Sequence, residues 1–368
     1  TGTYPWRNKK AKILTGANLI IDVDEITLPK MFKSMGYQTG IVGKWHLGLG
    51  DGPVNHNKYI SPGPNEVGFD HSFIMADTQD RVPTVYIENG YVVNLDPDDP
   101  IEINFKDNDY GLPSGVKNPE LLSMMWHHGH NASIVNGVPR IGYQRGGKSA
   151  MWSDIDMADK FLDEAKKYIN SVKDEPFFLY YTLQQPHVPR TPHPRFEGIS
   201  ELGPRGDAIV EADWCLGELK NTLEAEGILE NTLIIFSSDH GDANGHHRML
   251  FKDNFYETSS RVPTMICFPG KVPAGLLDDT HLVSGLDFFP TLCDYAEVDP
   301  PKDLKGMSLR PLLENRSTSW RDYLHAQSKA TGRMVIDDQY KFIRYYGSKT
   351  IQLFDLKNDP WETTNLAY

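Results

Sequence analysis

The chain has 368 residues, of which 39% are hydrophobic and 24% are charged, and its formal net charge is −13. This length is enough for one large hydrophobic core and a smaller appended domain, and the acidic balance argues against a nucleic-acid partner, although a local basic pocket can still bind an anion. No run of 18 apolar residues occurs, so no membrane span is expected.

Helical and strand-like patterns alternate along the chain. The predicted elements are, in order, a helix over 28–35, a buried strand over 39–42, an elaborated loop region over 51–150 with short strands such as 82–87, a helix over 151–172, a strand over 177–183, a helix over 206–226 and a strand over 232–237. This alternation predicts an α/β fold in which the last two strands lie inside a parallel sheet.

Side chains suited to binding an anion or a metal follow three of these strands. Lys44 and His46 come after the first strand, His187 lies between two prolines after the second, and Asp239 and His240 follow the third. Ligands of open α/β sheets gather at the carboxyl ends of strands, so we expect chemistry there. Taken alone, each group also has an ordinary interpretation, such as a solvated lysine, a core histidine or a loop histidine.

Four motifs occur in a fixed order. They are Gly43-Lys44-Trp45-His46, Pro186-His187-Val188-Pro189, Ser238-Asp239-His240-Gly241, and Lys252 ahead of Tyr256-Glu257-x-x-x-Arg261-Val262-Pro263. In these motifs the chain resembles the type I sulfatases of the alkaline phosphatase superfamily. The segment 353–360 is also similar to the C-terminal pattern of that family, so the likeness covers the whole chain.

The resemblance implies an alkaline phosphatase-like α/β fold, with a mixed, mostly parallel sheet sandwiched by helices and a small C-terminal antiparallel sheet. Strand-like alternation over 320–346 and 351–356 agrees with the second sheet. We expect a catalytic domain over residues 1–313, lacking its N-terminal strand and nucleophile loop, and a small α+β subdomain over 314–368.

The resemblance also implies hydrolysis of sulfate monoesters. In that reaction Lys44 and Lys252 bind sulfate oxygens, His46 supports the nucleophile and His187 assists the leaving oxygen. Preorganised cations suit this chemistry, because negative charge spreads over the oxygens during transfer.

A divalent cation is implied as well, usually Ca²⁺, with Asp239 and His240 among its ligands. Imidazole also suits transition metals, so another divalent metal is compatible with His240. The nucleophile of the family is a formylglycine, made from Cys or Ser in a motif that ends shortly before an element like Thr1–Pro5. We therefore expect the formylglycine upstream of residue 1, in an N-terminally truncated sequence, and a periplasmic or extracellular location by resemblance.

The substrate is indicated by groups that stack on sugars or bind anionic substituents. These candidates are Arg81, His127, His128 and His130 in the long loop region, and His247 near the predicted metal pair. They favour a sulfated polysaccharide or oligosaccharide, although such residues also support irregular loops. Two other hypotheses remain: a phosphodiesterase or phosphonate hydrolase of the same superfamily, and a non-catalytic, glycan-binding sulfatase-like protein.

Overall fold

The computed structural model describes residues 1–7, 16–125, 129–316, 318–328 and 332–368. The chain divides into two compact units. We call Lys10–Ile228 the central unit, and Thr1–Lys9 together with Leu229–Tyr368 the terminal unit. No helix in the described part of the chain is both long enough and apolar enough to cross a membrane. The predicted domain boundary after residue 313 stays a prediction.

The central unit contains a five-stranded mixed sheet. Its elements are α1 (Leu28–Ser34), β1 (Gln38–Lys44), β2 (His71–Met75), β3 (Tyr86–Glu88), β4 (Tyr91–Val92), β5 (Glu102–Asn104), β6 (Ile134–Val135), β7 (Val138–Pro139), β8 (Tyr143–Arg145), α2 (Met157–Val172), β9 (Phe177–Thr182) and α3 (Gly203–Ala225). The strand order is β4-β3-β2-β1-β9, and β1 pairs in parallel with both β2 and β9. The predicted mixed α/β fold is confirmed.

Helix α2 follows the predicted helical pattern but begins later than the sequence predicted. Its buried face includes Phe161, Leu162 and Ile169, which follow the helical period. The helix begins at Met157 rather than at residue 151, because the residues before it pair with the sheet region: Met151 forms a bridge with Val85, and the Trp152 amide donates to the carbonyl of Thr84.

Gly43 allows β1 to approach β9 closely at the end of the strand. Its φ is +120°, and a Cβ there would lie 2.0 Å from the carbonyl oxygen of Thr182. The hydroxyl of Thr182 in turn donates to the carbonyl of Lys44 over 2.7 Å. Glycine is therefore required here both for backbone conformation and for space, and it fixes where Lys44 leaves the sheet.

The terminal unit contains a two-stranded and a four-stranded sheet. Its elements are β10 (Ile234–Ser237), α4 (Glu257–Ser260), β11 (Thr264–Cys267), α5 (Phe288–Tyr295), α6 (Arg310–Leu313), β12 (Leu324–Ser328), β13 (Gly332–Ile336), β14 (Tyr340–Tyr345) and β15 (Ile351–Asp355). Within the described residues β10 pairs only with β11, in antiparallel fashion. The expectation that this strand lies inside a parallel sheet was wrong, because the intervening segment returns the chain alongside β10 in the opposite direction.

The four-stranded antiparallel sheet has the order β12-β13-β14-β15, which confirms the predicted small C-terminal sheet. Its core is formed by Phe255 with Met334, Ile343 and Phe354. The start of the chain belongs to the same unit, since the rings of Tyr4 and Trp6 stack on each other at 4.0 Å, and the ring of Tyr4 lies 4.8 Å from that of His325.

Candidate active site

Three neighbouring strands of the central unit end at one edge of the sheet. Because β1 is parallel to β2 and to β9, and Lys44 pairs with Met75 while Gly43 pairs with Thr182, the residues that follow these strands emerge side by side. We call this edge the carboxyl edge. It carries Lys44 at the end of β1, His46 two residues later and His187 after β9, which are the strand ends that the sequence pattern indicated. It also carries a group of polar residues after β2 that the pattern did not single out.

His46 is oriented by a carboxylate from the segment after β2. Its Nδ1 lies 3.2 Å from Oδ1 of Asp77, whose Oδ2 accepts a hydrogen bond from the Gly16 amide at 3.1 Å. His46 has a φ of 51°, in the left-handed region that a non-glycine residue rarely adopts. The Gly16 amide therefore holds Asp77, and Asp77 holds the imidazole at Nδ1. Nε2 of His46 is left for other contacts.

The backbone also fixes the tautomer of His187. Its Nδ1 lies 2.6 Å from the carbonyl oxygen of Val188, so Nδ1 is the donor nitrogen in this contact. Nε2 is then the nitrogen that can accept or transfer a proton. This arrangement suits a group that assists a leaving oxygen.

A buried carboxylate lies among the predicted substrate-binding residues. The side chain of Asp80 is 2% exposed, and it contacts Nδ1 of His130 at 2.8 Å and Nη1 of Arg81 at 3.4 Å. Burial alone would raise the pKa of Asp80, but the hydrogen bond from His130 and the charges of Arg81 and His187, with a bond from Thr78, hold it well below its usual value. Asp80 is thus a fixed negative charge at the carboxyl edge.

Asp80 was missed because its sequence context has no metal-ligand or catalytic spacing. The signal that would have found it is position, since it lies five residues after the end of a buried parallel strand. The structure places Arg81 and His130 together on this carboxylate. The other two histidines of the predicted set, His127 and His128, lie outside the described residues.

A second buried ion pair supports the loop region next to this cluster. Nη2 of Arg140 lies 2.6 Å from Oδ2 of Asp154, and the side-chain Nε2 of Gln79 donates to Oδ1 of Asp154 at 2.9 Å. Arg140 also donates to the carbonyl of Gln79. These contacts tie the segment after β2 to the chain ahead of α2, so part of the polar content of the long loop is structural.

In the terminal unit, Asp239 and His240 follow β10. Nδ1 of His240 contacts the carbonyl of Gly241 at 2.7 Å, and its Nε2 lies 3.3 Å from Oδ2 of Asp239. An imidazole nitrogen and a carboxylate oxygen therefore lie close enough together to bind one cation. A Cβ at Gly241 would lie 2.1 Å from the carbonyl oxygen of Thr258, so only glycine fits at this position.

The described residues contain no group of three or more His, Cys, Asp and Glu side chains that could hold a metal ion. The Asp239 and His240 pair therefore supplies two donors of mixed character, one hard oxygen and one borderline nitrogen. This donor set is compatible with Ca²⁺ only if further oxygen ligands complete the coordination.

Lys252 and His247 belong to the segment after this pair. Lys252 is exposed and is followed by the buried residues Asn254 and Phe255, which fix the chain. The imidazole of His247 stacks on the ring of Tyr256, with centroids 3.8 Å apart and planes 11° apart. His247 is therefore engaged with the protein on one face.

A buried lysine anchors the segment that carries Lys252. Nζ of Lys341, on β14, lies 2.5 Å from Oε1 of Glu257 and 2.9 Å from Oε1 of Glu362, and it donates to the carbonyl of Phe255 at 3.0 Å. Oε2 of Glu362 accepts from the Glu257 amide at 2.7 Å. Sequence analysis missed Lys341 because it occupies an ordinary position in an alternating strand.

Comparisons with known proteins agree on one family. A sequence model of the sulfatase family matches residues 21–298, and one of the N-sulphoglucosamine sulphohydrolase C-terminal region matches residues 245–368. The chain is similar to an N-acetylgalactosamine-6-O-sulfatase of Bacteroides thetaiotaomicron. The two are 41% identical over an alignment of 403 residues, gaps included, which covers 100% of this chain and 78% of the relative.

Two further similarities come from the same organism. An N-acetylglucosamine-6-O-sulfatase is 26% identical, over 93% of this chain and 69% of the relative. A solved structure from work on the metabolism of multiple glycosaminoglycans by Bacteroides thetaiotaomicron superposes with a TM-score of 0.92 at 38% identity, and covers 100% of this chain and 83% of that chain.

Proposed function

We propose that this chain, which belongs to the sulfatase family and is therefore a sulfuric ester hydrolase, removes sulfate from a carbohydrate. The observation that carries the proposal is the carboxyl edge of the central unit, where parallel strands bring Lys44, His46 and His187 to one edge of the sheet. The name of the 41% identical relative supports 6-O-sulfated N-acetylgalactosamine as the first substrate to test.

In the proposed reaction, lysine ammonium groups bind the sulfate oxygens. We assign this role to Lys44 in the central unit and to Lys252 in the terminal unit. Charge on the sulfate oxygens is redistributed during transfer, and a preorganised cation stabilises the transition state by roughly 3–4 kcal/mol. His46, held at Nδ1 by Asp77, presents Nε2 to the nucleophile.

His187 is assigned the transfer of a proton to the leaving sugar oxygen. Because Nδ1 donates to the carbonyl of Val188, the transferable proton is the one on Nε2 of the imidazolium. The Asp80 carboxylate lies close enough to His187 for the two groups to interact electrostatically. The sulfuryl group passes to the attacking oxygen of the nucleophile while its bond to the sugar oxygen breaks, and that sugar oxygen takes the proton from Nε2, so no alkoxide has to leave unprotonated.

A divalent cation, proposed to be Ca²⁺ as is general in the family, would be held in part by Asp239 and His240. When bound, it supplies positive charge that polarises a sulfate oxygen. No residue of the present sequence is assigned as the nucleophile, which by family resemblance is a formylglycine. A periplasmic or extracellular location is proposed on the same resemblance alone.

The test is turnover by the full-length protein, matured for formylglycine, with and without added calcium. The substrates are 4-nitrophenyl sulfate, 4-nitrophenyl phosphate and N-acetylgalactosamine 6-sulfate. Turnover of the sulfated compounds that exceeds turnover of the phosphate supports the proposal. Selective turnover of the phosphate favours a phosphodiesterase or phosphonate hydrolase, and binding of the sulfated sugar without release of sulfate favours a non-catalytic protein.

A further inference from the structure

An exposed pair of aromatic side chains stands out on the terminal unit. The imidazole of His246 and the indole of Trp361 stack with centroids 5.4 Å apart and planes 23° apart. Trp361 is nevertheless 62% exposed, so His246 covers one face of the indole and leaves the other open. We call this pair the His246–Trp361 platform. A large, flat, solvent-facing apolar surface is unusual unless something binds to it.

The backbone under His246 is held in a fixed and strained shape. The Ala243 amide donates to the carbonyl of Phe251 at 2.9 Å, and the Gly245 amide donates to that of Met249 at 2.9 Å. Between these bonds His247 and Arg248 adopt φ values of 53° and 58°, in the left-handed region. Such conformations cost energy in non-glycine residues and concentrate at functional sites. The stacking of His247 on the ring of Tyr256 fixes the loop from the protein side.

The position of Trp361 is fixed by its neighbour in sequence. Glu362 is buried, and its carboxylate binds both the Glu257 amide and the ammonium of Lys341. The Glu362 amide donates to the carbonyl of Asp359 at 3.0 Å. Trp361 is thus exposed on an anchored stretch of chain, so little conformational entropy is lost when a ligand contacts it.

Basic and acidic side chains both lie around the platform. The segment 243–252 contains two histidines, Arg248 and Lys252, with Asp242 and Asp253 directly at its ends, and the Asp359 carboxylate interacts with His247. Arg248 is therefore the cation left to bind an anionic substituent. The exposed side chains of Met249 and Leu250 lie in the same segment. Cationic groups beside an apolar, aromatic surface match a ligand that presents sugar C–H faces together with sulfate groups.

We propose that the His246–Trp361 platform binds a sugar ring of an oligosaccharide substrate, a ring other than the one that loses its sulfate. The C–H face of that ring stacks on the open face of the indole, and Arg248 binds its anionic substituents. This inference rests on the proposed carbohydrate sulfatase function. Its support within the sequence is that the platform loop joins the predicted metal ligands to Lys252.

The experiment compares Trp361→Ala, Trp361→Phe and Tyr346→Ala in the full-length, matured protein. Tyr346 is the matched control, since it is 87% exposed on the same unit. We expect Trp361→Ala to lower kcat/KM for a sulfated tetrasaccharide about tenfold, mainly through KM, and to leave 4-nitrophenyl sulfate unchanged. Trp361→Phe should retain most of the activity, and Tyr346→Ala all of it.

Two results would overturn the platform. One is an unchanged KM for the tetrasaccharide in Trp361→Ala, and the other is an equal loss on the tetrasaccharide and on 4-nitrophenyl sulfate, which indicates a structural role. Calorimetric binding of the tetrasaccharide to the same variants decides the question independently of turnover. If the wild type hydrolyses none of the sulfated compounds, the proposed function fails, while weaker binding by Trp361→Ala still supports the platform.

Discussion

Two regions of the molecule differ in the exposure of their carboxylates. They are the carboxyl edge of the central unit and the segment 239–252 of the terminal unit. The side chain of Asp80 at the carboxyl edge is 2% exposed and contacts the side chains of Arg81 and His130. The side chain of Asp239 is 70% exposed, and its closest ion-pair partner is the imidazole of His240 at 3.3 Å. A buried charge needs permanent partners, whereas an exposed one remains solvated until a ligand arrives.

This difference separates residues that hold a site in shape from residues that bind something from solution. Asp77 and Asp80 lie in the interior and serve other side chains of the protein. Asp239 and Lys252 are open to solvent and are therefore suited to an ion or a substrate. Substitutions of Asp77 and Asp80 should change stability, and substitutions of Asp239 and Lys252 should change binding.

The sharpest contrast is between Asp80→Asn and Asp239→Asn. Removing the buried charge takes away the carboxylate that Arg81 and His130 both contact, so we expect a loss of about 3–5 kcal/mol of unfolding free energy. Asp239→Asn should change stability by less than about 0.5 kcal/mol in the metal-free protein, because its side chain is exposed. Urea unfolding of both variants measures this, and equal effects would contradict the comparison.

The same pair gives a pH test. The pKa of Asp80 is lowered in the folded state, so its contribution to stability is complete above its unfolded pKa of about 4 and is lost as pH falls further. Asp80→Asn should therefore unfold with a weaker acid dependence below pH 4 than the wild type.

Lys44→Ala and Lys252→Ala compare the two regions through activity. Each should lower kcat for 4-nitrophenyl sulfate by about 10²–10³, because each removes one cation from the sulfate oxygens. Thermal unfolding should remain near the wild-type temperature for both. The matched control is Lys349→Ala, an exposed lysine outside both regions. Loss of soluble protein in either variant would mean that the lysine is structural.

His56 extends the comparison to a histidine close to Asp77. Burial lowers the pKa of His56 to about 4, against an opposing attraction from the Asp77 carboxylate. The folded protein thus favours the neutral imidazole. The free energy of unfolding keeps the full contribution of neutral His56 above the unfolded pKa of about 6.5. It falls by at most about 3 kcal/mol as the pH is lowered towards 4, because the unfolded chain then binds a proton more readily than the folded one. His56→Gln should flatten the fall in stability between pH 6.5 and 4, measured by urea unfolding at several pH values. An unchanged slope would show that His56 is solvated.

His247→Ala tests whether the segment 243–252 depends on the stacking of His247 on Tyr256. Losing the contact with Tyr256 should cost about 1 kcal/mol of unfolding free energy. The measurement is the thermal unfolding temperature, with Tyr346→Ala as an exposed aromatic control. A larger effect would mean that this loop, like the carboxyl edge, is part of the folded core.

Much of the fold could be predicted from the sequence, because the hydrophobic periodicity of a long segment shows which of its residues are buried. The segments that became α3 and β9 were predicted within a few residues of their ends, and the four-stranded sheet was predicted from its alternation. The parallel environment assigned to β10 was wrong, since a continuous apolar run shows burial and carries no information about the direction of the neighbouring strand.

The candidate site divides in the same way. Lys44, His46 and His187 were predicted from strand ends, and motif resemblance added Lys252. Asp77 and Asp80 were missed, because a carboxylate that serves another side chain belongs to no sequence motif, and only its position after a parallel strand marks it. Lys341 is a similar case, since its buried pairing with Glu257 joins residues 84 positions apart in sequence.

The stacking of Tyr4 and Trp6 near His325 makes the terminal unit discontinuous in sequence. During synthesis the ribosome completes the central unit before it makes His325, the partner of these two aromatic residues. The segment that carries Tyr4 and Trp6 must therefore remain available until His325, more than 300 positions later, has emerged. Of the two units, the one carrying Asp239, Lys252 and Trp361 depends on the longest-range contacts, so we expect it to fold last and to depend most on chaperones.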